Sequence, residues 1–488
     1  MSEEKETFNY GDAKVVGTIP DGKVHFVTVV DGNVPFALVF QEGNTDYSPD
    51  HYNVLYGTSY VGTFDDCSQI LVSPNNKYIL YVVEKDEKHH LYKNNLKLKA
   101  NAEDFGTIDI SNDSENFGCF LKTNGVWELH ENNTKFSKSF TEQAGLVYLP
   151  DGNLAFLGEN DGIWNYYTTI GGKLPIDFLK VALLFKSPIS DEMAFFTAKN
   201  LKGKWEVYMD YENVVGPFDG MGLPMAFSSV TKNHAYTGIR DNVWYVFVNN
   251  KKIDRAFSGI DYLSFLPNGE DIVCSEVSVD GTRIYINEKL IAGPFERLGF
   301  EMSFSPDCKR VYYSKCTEGK WSIGHTDIDD PEKKYIKDMD VTLPCSEVMK
   351  LLVSPDLSKI VYSIALKGRN MSLDSVVSLG DLGTFGVFQT MYLLQISKDS
   401  STIIFASKEN NDWYIYVNGK KVAGPFLGIP TLTFFKDTSI ILYRAYVAQS
   451  SFPAFMLYMD GKNYVGHIDD DKLVYMEGEK IILRERIR

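Results

Sequence analysis

The sequence predicts an all-β chain: a β-propeller of about twelve four-stranded units spanning residues 1–488, closed by pairing of the N- and C-terminal strands. Three observations carry this expectation. One phrase recurs nearly verbatim, a turn signature alternates with it, and the two chain ends each hold part of one unit.

The phrase is Trp413-Tyr-Ile-Tyr-Val-Asn-Gly-Lys-Lys-Val-Ala-Gly-Pro-Phe426, with copies at 244–257, 205–218 and 282–295, each of the same length. It reads as a third strand, an Asn-Gly-like turn and a fourth strand. Alternation puts Trp413, Ile415 and Val417 on one face and Tyr414 and Tyr416 on the other. Two apolar faces suit a sheet packed between two others.

The second signature is an apolar residue followed by Ser-Pro-Asp or Ser-Pro-Asn, then apolar residues at period two. Copies begin at Val72, Phe304 and Val353, with relatives at Phe265-Leu-Pro-Asn268, Tyr148-Leu-Pro-Asp151, Ile396-Ser-Lys-Asp399 and Phe434-Phe-Lys-Asp437. Proline presets φ and Asp, Asn or Gly tolerates the turn dihedrals, so each predicts the hairpin between a first and a second strand.

The closing aromatic of the phrase serves as a ruler: Phe64, Phe105, Phe140, Phe178, Phe218, Phe257, Phe295, a poorly marked stretch at 335–343, Phe385, Phe426 and Ile468. The mean spacing is about 40 residues, the length of a propeller blade. Residues 8–19 match the later half of a unit and 472–487 the missing first hairpin. Residues 1–19 plus 469–488 therefore form a split blade that leaves no free edge.

Twelve units exceed the usual ring of four to eight. Two six-bladed rings, divided near 240–260, are the alternative; the even spacing across that region favours one large ring. The charged stretch 326–347 reads as an extended surface loop.

At the Ser-Pro-Asp hairpins the chain resembles the WD40-like PD40 repeats of TolB-type β-propellers. Gly-Lys after the turn is mostly replaced here, as at Asp307-Cys308-Lys309, and the resemblance implies architecture and no active residue. TolB proteins are exported, whereas Met1-Ser-Glu-Glu-Lys-Glu6 has no basic or apolar leader, so the expected location is cytoplasmic.

Composition narrows function. Apolar residues make up 44% and aromatic residues 14%, which supports a large strand-rich core. With 49 Lys plus Arg against 65 Asp plus Glu, the net charge of −16 repels a phosphate backbone, and no apolar run is long enough for a membrane. Neither nucleic acid nor membrane is expected as a partner. The six cysteines, at 67, 119, 274, 308, 316 and 345, read as reduced thiols, with Cys308 and Cys316 the one pair placed to bridge a hairpin.

No catalytic, cofactor-binding or metal-binding residue is assigned. A Gly-x-Ser-x-Gly elbow is missing: Gly57-Thr-Ser59-Tyr-Val61 fails at its last position. The eight histidines, 25, 51, 89, 90, 130, 234, 325 and 467, are scattered, with His89 and His90 expected in a solvated hairpin. Asp65-Asp66, Asp327 to Asp330 and Asp469 to Asp471 lack the ligand spacing of a calcium loop and read as solvated turns. Tryptophans 127, 164, 205, 244, 321 and 413 all open third strands, as packing between blades demands.

Tyr262, Glu301 and Lys350 align at one position of the innermost strand, with Asp261 and Phe300 beside it; their mixed character reads as drift. The expected function is a non-catalytic cytoplasmic scaffold that binds a protein or peptide. An enzyme or small-ligand sensor at the channel mouth, and a purely structural assembly subunit, remain the alternatives.

Overall fold

The computed structural model describes residues 12–485 except 20–22, 44–49, 133, 150, 170–171, 174–176, 187–193, 210–211, 332–338, 342–344, 367–374, 380–382, 389, 437, 448–451 and 469–471. The expected turn at Asp469 to Asp471 and residues 8–11 of the 8–19 segment lie outside the described residues. Every regular element among those described is a strand.

The strands form antiparallel sheets in simple meander order. We number them by position: sheet 1 (residues 23–64), 2 (66–102), 3 (104–140), 4 (142–173), 5 (178–218), 6 (220–257), 7 (260–295), 8 (297–340), 9 (345–388), 10 (390–426) and 11 (428–468). A further group, sheet 12, joins Lys472–Glu477 and Lys480–Glu485 from the C-terminus to Lys14–Thr18 from the N-terminus. Lys14 lies opposite Leu483 and Thr18 opposite Lys480, and the Lys14 ammonium meets Glu485 at 3.1 Å. Ladder bonds link sheets 4 and 5 through Phe178, and sheets 11 and 12 through residues 466–468. First strands of neighbouring sheets lie against each other, the packing of propeller blades.

Buried Ser-Pro-Asp hydroxyls explain that signature. Ser305 donates to Asp307 Oδ1 at 2.6 Å and accepts from the Arg310 amide at 2.9 Å. Ser111, Ser354 and Ser397 repeat both bonds. Neighbouring turns are tied as well: the Asn75 amide donates to Ser114 Oγ and the Asp356 amide to Ser400 Oγ.

The turn between third and fourth strands has its own device. Asn94, Asn132, Asn249, Asn287 and Asn418 all sit at φ between 44° and 55°, and each side-chain oxygen accepts the amide that opens its second strand. Asparagine suits the position because it tolerates left-handed backbone and supplies the acceptor. Asn287→Ala should cost about 2 kcal/mol by combining left-handed strain with a lost hydrogen bond. Asn287→Gly, free of the strain, should cost less; urea unfolding of the two variants checks the order.

Glycine in Gly-Pro-Phe is required by a close approach. At Gly424 (φ +115°) an added Cβ would stand 2.7 Å from the Trp413 carbonyl oxygen, and at Gly293 2.6 Å from that of Thr282.

The ruler holds where the closing aromatic faces the tryptophan near the start of the third strand, as in Trp127 with Phe140, Trp244 with Phe257 and Trp413 with Phe426. It fails twice. Phe105 belongs to the first strand of sheet 3, and Ala102 takes its place opposite His89; Phe388, not Phe385, faces Ser375. The cross-strand register sets the closing position, and an aromatic side chain is only its usual occupant.

The core is divided between sheets. Phe257 packs with Ile260, Leu263 and Tyr285 across sheets 6 and 7, and Ile415 with Leu432 and Tyr443 across 10 and 11. Every other consecutive pair from 1 and 2 to 10 and 11 shares such a cluster. Sheet 12 uses both faces: Leu473, Tyr475 and Ile482 meet Leu457 and Phe435 of sheet 11, while Val474, Ile481 and Leu483 meet Val27, Val29 and Val39 of sheet 1.

Candidate functional site

First strands carry the side chains that face neighbouring sheets, and many are engaged there with backbone. Gln69 Nε2 donates to the Gly106 carbonyl and Gln395 Nε2 to that of Leu432, both at 3.0 Å, and the Val353 amide donates to Ser303 Oγ. These contacts hold adjacent sheets in register.

Tyr262, Glu301 and Lys350 depart from that pattern. They come from sheets 7, 8 and 9; Glu301 and Lys350 are brought into contact, and Tyr262 lies within electrostatic reach of Glu301. Lys350 Nζ donates to Glu301 Oε1 at 2.9 Å, and both side chains are about one-third exposed. Burial pushes the Tyr262 phenol up, and the Glu301 carboxylate adds to the shift. The trio thus offers a neutral hydroxyl beside a compensated ion pair. Of the adjacent pair, Asp261 accepts from Ser275 Oγ and Phe300 is exposed.

Two clefts lie elsewhere. One, of about 400 Å³, is lined by Asp307, Lys309, Arg310, Asp327, Asp329, Asp330 and Leu357. Its charges are largely engaged: Arg310 Nε donates to Asp327 at 3.0 Å, and the Ser305 hydroxyl and Lys309 amide hold the Asp307 carboxyl below the usual range. The other, of about 380 Å³, is aromatic, with Tyr392, Trp413, Gly428, Ile429, Pro430 and Tyr446 around it. Tyr392 is 55% exposed, and Leu427, the residue before Gly428, is 56% exposed. Of its walls only Trp413 is marked by the sequence period; the cleft itself depends on how sheets 10 and 11 meet.

Among the described residues no three His, Cys, Asp or Glu side chains gather as metal ligands would. The histidines lie in different surroundings. His51 bonds Gln41 and His130 approaches Glu128. His89 lies 3.8 Å from Glu84, while His90, expected in solvent, is buried, and its Nδ1 accepts the Asn101 amide. The fourth strand folds over His90, a contact that the charge of the hairpin does not foretell.

Cys308 and Cys316 do not form a pair across a hairpin. Cys308 sits in the turn before Arg310–Thr317 and Cys316 near the far end of that strand. Eight residues of near-extended chain span roughly 25 Å, beyond any disulfide.

No protein-family description matches the chain, and no curated protein matches it. Among solved structures it is similar to TolB from Acinetobacter baumannii, at 14% identity over 62% of this chain and 75% of that one, with a TM-score of 0.30. It is also similar to the Dos1 propeller, at 8% identity over 78% and 92% with a TM-score of 0.31. A third is the GH74 xyloglucanase from Xanthomonas campestris, at 7% identity over 98% and 100% with a TM-score of 0.30. The likeness is one of architecture.

Proposed function

We propose that the chain closes into a single ring of twelve blades and serves as a rigid docking platform for a basic peptide segment of a partner protein, anchored by an apolar side chain in the Tyr392–Trp413–Tyr446 cleft. The ring reading is supported by the circuit of buried clusters, which runs through every consecutive pair and returns from sheet 12 to sheet 1. The cluster joining Val246 and Phe257 to Ile260 and Leu263 spans 240–260, where two separate rings would divide.

The cleft carries the functional reading. Aromatic walls with exposed Tyr392 and Leu427 form an anchor site of the kind that dominates binding energy at interfaces. A net charge of −16 favours a cationic partner and makes its association faster at low salt. With all six thiols free, a reducing cytoplasm is the compartment we propose.

Selection from a displayed random-peptide library tests this reading. Enriched peptides should carry Lys or Arg next to an aromatic, proline or aliphatic anchor. Tyr392→Ser and Leu427→Ser should each weaken binding about tenfold, near 1.4 kcal/mol. An unenriched library, or binding indifferent to both substitutions, would overturn the proposal.

A second reading, a small-ligand site at the channel mouth, is favoured by one observation: Glu301 and Lys350 pair across sheets 8 and 9, with the Tyr262 hydroxyl of sheet 7 within electrostatic reach of Glu301. An ion pair beside a hydroxyl suits a zwitterion, which can replace each partner with its own opposite charge. Thermal-shift screening against small zwitterions, with Lys350→Met as control, decides it.

A further inference from the structure

Cys316 and Cys345 belong to one buried cluster between sheets 8 and 9, with Trp321, Ile323, Val348 and Leu351. Cys316 is 4% exposed, whereas Cys345 is partly open to solvent. A second relation places the two strands. Arg297 lies directly across the ladder from Cys316, and its guanidinium meets Glu347, two residues beyond Cys345, at 2.7 Å. The same guanidinium stands over the Trp321 ring, and Trp321 is itself the ladder partner of Cys316. A bulge between Cys345 and Glu347 breaks the alternation of the strand there, so the Arg297–Glu347 contact holds the strands of sheets 8 and 9 together, and what brings the two thiols close is their shared cluster, Cys316 within it and Cys345 packed against it.

We infer that Cys316 and Cys345 form a reversible disulfide, made when a low-molecular-weight disulfide such as oxidised glutathione reaches Cys345. The Cys345 thiolate attacks one sulfur of the small disulfide, forming a mixed disulfide and expelling one thiolate. Cys316 then loses its proton and its sulfur attacks that of Cys345, closing the protein disulfide and expelling the second thiolate. The two protons given up by the cysteines end on the two released thiols, and the small disulfide is the species reduced.

Burial pushes the Cys345 thiol up, and the neighbouring Cys316 sulfur pushes it further, so little thiolate is present at neutral pH. Oxidation should accordingly quicken by roughly tenfold per pH unit below the thiol's own pKa. The crosslink would close a loop containing Asp327, Asp329 and Asp330, and so tie the most charged connection in the chain to the sheets on either side.

The test uses the intact native chain with oxidised glutathione, followed by alkylation, digestion and mass spectrometry. The expected result is one crosslinked peptide pair, Cys316 with Cys345, lighter by two hydrogens and restored by a thiol reductant. Cys345→Ser should abolish it and Cys308→Ser should not. A stable glutathione adduct on Cys345 that never resolves, a crosslink from Cys345 to any other cysteine, or full recovery of both thiols would each overturn the inference. The wild-type peptide map decides the matter even if a variant fails to fold.

Discussion

Removal of residues 472–488 should abolish cooperative folding, while a circular permutant that keeps them should fold. The deletion strips Leu473, Val474, Tyr475, Ile481, Ile482 and Leu483, each at most 3% exposed. At about 1.5–3 kcal/mol per fully buried apolar side chain, the gross loss is about 9–18 kcal/mol, comparable to the whole stability of a typical domain at about 5–15 kcal/mol. It would also uncover two apolar faces, Val27, Val29 and Val39 on one side and Leu457 and Phe435 on the other. Such exposed sheet faces and edges lead to aggregation.

The permutant separates loss of contacts from loss of chain continuity. Lys14 and Glu485 touch through their side chains, so residues 486–488 and 1–13 suffice to join the ends directly. New termini belong in the hairpin at Val279, whose side chain is fully exposed. Circular dichroism and urea unfolding should match wild type for the permutant and show no cooperative transition for the truncation. A truncated chain that unfolds like wild type would refute ring closure.

How much of this was legible in the sequence depends on where each interaction lies. Interactions within a sheet were readable, because turn chemistry and the period-two pattern are local: the Ser-Pro-Asp hairpin, the Asn-Gly turn and the tryptophan at the head of the third strand stand where expected. The pairing of Lys14–Thr18 with Lys480–Glu485 was readable too, since each end lacked what the other supplied. Interactions between sheets were not. Burial of His90, the meeting of Glu301 with Lys350 and the cleft between Tyr392 and Tyr446 all depend on how two sheet faces are offset and twisted against each other. One unit's sequence does not encode that offset. The misplaced Phe105 has the same origin, because an aromatic from the next sheet stood close in sequence to the true closing residue, Ala102.

Acid should loosen the junction between sheets 1 and 11 through His25, whose side chain is fully buried. Its ring stacks on Phe40 and meets the edge of Tyr52. Nδ1 donates to the Phe452 carbonyl at 3.1 Å, and Nε2 is buried with no partner among the described residues, the arrangement of a neutral ring protonated at Nδ1. The Phe452 amide in turn donates to the Tyr52 hydroxyl, so one residue of sheet 11 is held twice by sheet 1. Burial lowers the His25 pKa to about 4, with a small further push from Lys23 and an opposing one from the Phe452 carbonyl. In the unfolded chain the ring titrates near 6.5. Between these values the unfolded state binds the proton and the folded state does not, so stability is lost as pH falls from about 6.5 to about 4 and rises again with pH. The whole window is worth about 3 kcal/mol. His25→Gln, which retains a donor for Phe452 but cannot take a proton, should remove this portion of the pH dependence while leaving that of the carboxylates. Urea midpoints of both proteins at pH 7 and pH 4.5 should diverge in slope; parallel pH dependence would show that His25 does not govern the acid sensitivity of the junction.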